Sequence, residues 1–233
     1  MRALLLAAGL GTRLRPLTDR IPKCLVPVHG KPLLGYWLDL LLNAGIERVL
    51  VNTHYLPVPV REFVASSPWR TRITLAHEHS LLGTGGTILR NRAYFEDGAF
   101  LVAHADNLTR FDVDAFRERH QKRPAGVDIT MMTFDTDAPQ TCGIVEEDAR
   151  GIVVGFHEKV GTPPGSRANA AVYILEPGVI GFLESLGKGE IDVSTEVIPG
   201  YMGRICTFHN AGYHRDIGTP ESLLKAEAEF SGT

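Results

Sequence analysis

Cysteine is scarce in this chain. Cys24, Cys142 and Cys206 are the three among 233 residues, far apart and odd in number, so they form neither a disulfide framework nor a CxxC pair. A reducing, cytoplasmic compartment fits that usage, and a buried structural thiol accounts for each better than a catalytic one. No run of about 18 apolar residues occurs, so no membrane span is expected. No block of lysines or arginines occurs either, and a net charge of −3 gives no basic face for nucleic acid. A small ligand is the default partner. Arg2 followed by the apolar run to Ala8 has the start of a targeting peptide, but the run stops at Gly9 and Arg13 follows, too soon for a secretory signal.

Strand-like apolar runs alternate with helix-like segments, the pattern of a largely parallel sheet covered by helices. "RALLLA" is a short continuous apolar run suited to a buried strand. "LLGYWLDLLLNAG" reads as a helix with Pro32 at its start and Gly45 just beyond its end. "RVLVNT", "RITLAHE" and "AFLVAHAD" are further strands, with a helix near Val60 to Ala65. "DVDAFRERHQK" is amphipathic, with Val113, Phe116 and His120 on one face and Asp112 as its N-cap. After about residue 125 come "DITMMTF", a hairpin of "GIVEED" and "GIVVGFHE" around "ARG", and "ANAAVYIL". The end reads strand, loop, helix. No repeat or long linker appears, so a single domain over 1–233 is expected, with an inserted or appended, partly β region after about residue 125.

"AAGLGTRLRPLT" follows the first strand. Glycines let the backbone approach an anion and present successive N–H groups to it. The Gly-Lys-Ser/Thr ending of a Walker A loop is missing, and Leu14 stands where a dinucleotide fingerprint needs its last glycine. Arg13 and Lys23 follow the loop instead, two cations able to neutralise a polyphosphate. The other reading is a tight turn with both cations solvated.

"LLAAGLGTRLRPLTDRIPKCLVPVHGKPLL" resembles the opening signature of the sugar-1-phosphate nucleotidyltransferases, and most resembles their guanylyl-transferring members acting on mannose 1-phosphate. Four further stretches resemble later family motifs in the same order: "EHSLLGTGGTI", "FLVAHADNL", "GFHEKVGTPPGSRANAAVYIL" and "GYHRDIGTPESLLKA". The resemblance implies an α/β, Rossmann-like three-layer fold with a twisted, mostly parallel mixed sheet and a small additional β region. It implies transfer of a nucleotidyl group from an NTP to a sugar 1-phosphate, dependent on Mg2+. By the same resemblance, Leu6, Ala7, Ala8 and Gly9 face base and ribose, while Gly11, Thr12 and Arg13 wrap the triphosphate. Lys23 bridges the phosphates of the two substrates, and Arg13 clamps the departing pyrophosphate. Asp106 and Asp216 are the metal pair. Glu78, Gly83, Thr84 and Gly85 line the base pocket, and Gly143, Glu158, Lys159 and Asn169 bind the sugar phosphate. For Glu158 and Lys159 the alternative is a surface ion pair.

The chain departs from the commonest family form at four positions. Cys24 and Val160 replace prolines, while Ala105 and Ala171 stand where glycines are usual. The two alanines bear on substrate choice. No C-terminal β-helix of hexapeptide repeats is expected. His77 and His79 share one face of a strand and His104 precedes Asp106, but zinc would need further ligands at suitable spacing. Among substrates, GTP with a mannose- or heptose-type 1-phosphate is the first expectation. The alternatives are a uridylyl-, thymidylyl- or cytidylyltransferase, including one acting on N-acetylmuramate 1-phosphate, and a catalytically silent regulatory subunit that binds a nucleotide sugar. Relatives occur as monomers, dimers and tetramers, so self-association stays open.

Overall fold

A computed structural model of the chain describes residues 1–230. The strands in chain order are β1 Arg2–Leu6, β2 Pro27–Val28, β3 Lys31–Pro32, β4 Arg48–Thr53, β5 Ile73–His77, β6 Phe100–His104 and β7 Asn107–Thr109. They continue with β8 Ile129–Asp135, β9 Gly143–Glu147, β10 Val153–Glu158, β11 Arg167–Leu175, β12 Ile205–His209 and β13 His214–Asp216. The α-helices are α1 Leu33–Asn43, α2 Pro57–Ser66, α3 Gly83–Arg90, α4 Val113–Gln121, α5 Gly178–Ser185, α6 Ile198–Gly200 and α7 Pro220–Glu229. The expected α/β architecture is present.

The chain packs as two compact units that do not divide at residue 125. The first comprises Met1–Leu81, Ala103–Phe111 and the chain from Gly212; the second comprises Leu82–Val102 and Asp112–Ala211.

In the first unit, β1 pairs parallel with β4 and β4 with β5. Parallel pairing buries both faces of β1, which explains its unbroken apolar run: Ala3, Leu4 and Leu5 have no exposed surface. Helix α1 buries Leu33, Leu34, Trp37, Leu38, Leu41 and Leu42, one face at the 3.6-residue period. Pro32 is its N-cap and Gly45 (φ +80°) follows its C-cap, where a left-handed backbone favours glycine. A second cluster, with Leu14, Val28, Leu33, Ile217 and Phe230 among its members, packs α7 against the segment after the glycine loop.

In the second unit, β11 pairs antiparallel with β8 and β9, β9 pairs antiparallel with β10, and β12 adds to β8 in parallel. The β9–β10 hairpin turns where "ARG" predicts it. Asp112 caps α4, accepting the Ala115 N–H at 2.9 Å, and Val113, Phe116 and His120 are buried as their spacing implies. Three helices, α3, α5 and the short α6, have no clear signal in the sequence, and the first turn of α3 is the glycine-rich "GTGG".

Candidate active site

β1 ends at Leu6 and the chain turns through Gly11, whose φ of +65° is a left-handed conformation. A Cβ there would lie 3.0 Å from Thr18 Cγ2 and 3.2 Å from Lys23 Cβ, so glycine also makes room for the residues behind the loop. The Thr18 hydroxyl donates to the Gly11 carbonyl at 2.7 Å and fixes the turn. Leu14 then plunges into the core while Arg13 stays exposed, so a buried leucine anchors the loop and leaves the guanidinium outside.

Lys23 opens a 3-10 turn held by Cys24 and Val26, both buried. Its ammonium is buried as well and donates to Asp106 Oδ2 at 2.6 Å and Asp216 Oδ1 at 3.1 Å. The two carboxylates meet because β13 pairs antiparallel with β7, setting Asp216 opposite Asn107 and hence beside Asp106. Trp37 of α1 steadies this corner by donating Nε1–H to the Asn107 carbonyl at 2.8 Å. Asp216 Oδ2 also faces Arg13 Nη2 at 3.6 Å. Gly218 is required here, since a Cβ would lie 2.7 Å from Asp216 Oδ2 and 2.8 Å from Arg13 Nη2.

Burial alone would lower the Lys23 pKa, but the Asp106 and Asp216 charges and hydrogen bonds outweigh it, and the net shift is upward. Burial likewise pushes the Asp106 carboxyl up, yet Lys23, then His104, hold it below its ordinary value. Both therefore stay charged at neutral pH. The Cys24 thiol is pushed up to about 12, by burial and then by the Asp106 charge, so it is no thiolate nucleophile. Asp106 Oδ1 is buried with no hydrogen-bond partner. An orphaned carboxylate oxygen is costly unless something electropositive meets it, and a divalent cation fits. Among the described residues no group of three or more His, Cys, Asp or Glu is placed to hold a metal. The donor set is thus two carboxylates, which suits Mg2+, an ion that keeps waters and takes the rest of its ligands from substrate phosphates.

A cavity of about 330 Å³ opens here, lined by Gly9, Leu10, Gly11, Thr12, Arg13, Lys23, Asp106 and Gly218. The structure thereby gathers the loop glycines, both cations and Asp106, with Asp216 bonded to two of them. Ala7 and Glu78 are joined through a residue that belongs to none of the motifs. Asn52, at the end of β4, accepts the Ala7 N–H at 2.6 Å and donates to Glu78 Oε1 at 3.0 Å. A polar residue inside the buried run "VLVN" is its only sequence signal. Ala105 has no exposed surface, so its methyl packs inside the protein rather than toward a ligand.

The remaining expected residues lie in the second unit. Gly143 faces Glu158 across the β9–β10 ladder, and a Cβ there would lie 2.7 Å from Glu158 Oε2. Glu158 and Lys159 do form an ion pair, at 3.0 Å. Asn169 accepts the Ala171 N–H at 2.9 Å and donates to the Tyr173 hydroxyl at 2.6 Å. Ala171 has φ +53°, so it holds a glycine-like backbone that the Asn169 side chain stabilises. Gly83 and Gly85 serve packing: Cβ atoms there would collide with the Ile191 carbonyl and the Ile191 side chain respectively. Thr84 Oγ1 accepts the Val193 N–H at 2.7 Å.

Mannose-1-phosphate guanylyltransferase from Mycobacterium tuberculosis is 34% identical over 98% of this chain and 64% of its own length. Mannose-1-phosphate guanylyltransferase 1 from Arabidopsis thaliana is 32% identical over 96% of this chain and 63% of its own. The chain thus spans a little under two thirds of these curated relatives. Among solved structures, HddC from Yersinia pseudotuberculosis complexed with GMP-PN matches with a TM-score of 0.82 and 28% identity over 99% of both chains. A candidate glucose-1-phosphate thymidylyltransferase from Bacillus anthracis, in complex with a sucrose, matches at TM-score 0.89 over 100% of this chain and 97% of its own; at 20% identity that likeness speaks to fold alone. The model of the nucleotidyl transferase family runs over residues 2–231, and the chain belongs to that family.

Proposed function

We propose that the chain transfers a nucleotidyl group from GTP to a mannose- or heptose-type sugar 1-phosphate, releasing pyrophosphate. The observation that carries this reading is the buried Lys23 ammonium held by Asp106 and Asp216 beside the glycine loop. A phosphate oxygen of the sugar 1-phosphate, already ionised near neutral pH, attacks the α-phosphorus in line. The new P–O bond forms as the bond to the β-phosphate breaks, and no general base is needed. Gly9, Gly11 and Thr12 offer backbone N–H groups to the triphosphate. Arg13 meets the charge that grows on the leaving pyrophosphate, and Lys23 offsets the charge of the phosphates brought together for attack. Asp106 and Asp216 would hold Mg2+, which when bound would polarise the phosphoryl oxygens. Leu6, Ala7, Ala8 and Glu78 take the base and ribose, with Gly83, Thr84 and Gly85. Gly143, Glu158, Lys159 and Asn169 take the sugar phosphate.

Two considerations support GTP. Relatives named as guanylyltransferases and a similar structure complexed with GMP-PN are one. The other is chemical: the Glu78 carboxylate oxygens can accept hydrogen bonds, and the Watson–Crick edge of guanine offers adjacent N1–H and N2–H donors. The free thiols Cys24, Cys142 and Cys206 suit the reducing, cytoplasmic setting we propose for this reaction.

The test is pyrophosphate release with Mg2+ over a grid of the common NTPs against mannose, glucose, heptose and N-acetylated sugar 1-phosphates. We expect release with GTP and one of the first or third sugars, lost when either substrate is omitted. Release with another NTP would move the base assignment. Silence across the grid, with binding of a finished GDP-sugar, would replace transfer with a regulatory role.

A further inference from the structure

We infer that Asn52 is the positioning residue that sets nucleotide selectivity, a reading that rests on the base pocket proposed above. β1, β4 and β5 run parallel and end level with one another, Leu6 opposite Asn52 and Thr53 opposite His77. Ligands of open α/β sheets gather at such carboxyl ends. Asn52 lies buried between the other two strand ends and spends its amide on both. Its Oδ1 accepts the Ala7 N–H at 2.6 Å, and its Nδ2 donates to Glu78 Oε1 at 3.0 Å. These partners settle which way the amide faces, since an N–H needs an acceptor and a carboxylate needs a donor.

Thr53, the last residue of β4, and His54 just beyond it grip Glu78 by its backbone. The Glu78 N–H donates to the Thr53 carbonyl at 2.8 Å, and His54 Nδ1 donates to the Glu78 carbonyl at 2.8 Å. The main chain of Glu78 is therefore held independently of Asn52. What Asn52 adds is the rotamer of the carboxylate and the height of the Ala7 backbone beside it. A buried carboxylate kept in one orientation is a selective acceptor, because it rewards only a base whose donors match its direction. Guanine supplies N1–H and N2–H; hypoxanthine supplies N1–H alone. Asn52, though it need touch no ligand itself, thus controls how strongly the exocyclic amino group counts.

The experiment compares GTP with ITP, by kcat/KM in pyrophosphate release and by calorimetric binding of each nucleotide with Mg2+ in the absence of sugar phosphate. Asn52→Asp keeps an acceptor for Ala7 but sets a carboxylate against Glu78. Asn52→Ser, smaller and uncharged, covers the case in which the aspartate variant does not fold. We expect wild type to prefer GTP by about tenfold, the scale of one hydrogen bond to a charged partner. In a folded variant that preference collapses toward unity while the KM for sugar 1-phosphate stays within about twofold. An equal loss for GTP and ITP, with the ratio intact, would make Asn52 a merely structural residue and overturn the inference. A wild type that binds GTP over ITP without turnover would count against nucleotidyl transfer and leave the selectivity comparison readable.

Discussion

Lys23 shows how single residues here carry opposed demands. Burying an ammonium is costly, and the two carboxylates offset that cost, so removing one member of the group does not have one uniform effect. Loss of Lys23 strands the part-buried Asp106 charge, and Lys23→Met should cost about 3 kcal/mol of stability as well as activity. Asp216 is half exposed, so Asp216→Asn should change stability by less than about 1 kcal/mol while lowering turnover at least about a hundredfold. Thermal melts and steady-state rates on the two variants separate these effects, and full turnover in a folded Asp216→Asn protein removes that residue from the mechanism. His120 supplies a pH dependence away from the site. It sits between Thr130 Oγ1 at 2.8 Å and Glu176 Oε1 at 3.0 Å, and burial lowers its pKa against the pull of Glu176. The unfolded chain, with His120 near 6.5, then binds more protons than the folded one below that pH. Its contribution is present above 6.5 and lost as pH falls toward the lower folded value. Urea melts between pH 7 and pH 5.5 should show a shallower decline in His120→Gln than in wild type; equal slopes refute it.

Among the elements, α3 most clearly reverses a local preference. Propensity favours alanine over glycine by about 1 kcal/mol inside a helix, yet three glycines occupy its first turn. The backbone from Gly189 to Ile191 presses on that turn, with Gly85 and Gly86 donating to the Ile191 carbonyl at 2.8 and 3.2 Å. A Cβ on Gly86 would collide with the Gly189 carbonyl, and backbone cannot swing aside as a side chain can. Gly86→Ala should therefore destabilise by about 2 kcal/mol despite its helical propensity. A rise in melting temperature would show that the 189–191 backbone yields. Contrast α1 and α4, whose apolar spacing and caps lie within each helix's own sequence and are legible there. Helix α3 carries no such local mark, because its stabilising contacts come from a segment about a hundred residues later.

For the chain as a whole, the largest departure from what chain order suggests is its division. A boundary at 125 follows that order, but the segment after Gly212 returns to the first unit, and the return brings Asp216 to a lysine 193 positions earlier. Closing so long a loop costs little more than closing a shorter one, so nothing in chain order forbids it. The longer strands, most helices, the glycine loop and the family motifs are legible directly, because each depends on spacing within a few residues; the short strands β2, β3 and β7 are not, and β13 falls where the sequence reads as loop. Asp106 and Asp216 can be placed from sequence only as members of motifs; their meeting at Lys23 requires the β7–β13 pairing. The Asn52 link between Ala7 and Glu78, the packing of "GTGG" and the room left by Gly218 have no local period to announce them. Residue type and near-neighbour spacing govern backbone preference and burial, so these are written in the sequence. Contacts between side chains from separate strands depend on register and packing, which exist only once the chain has folded.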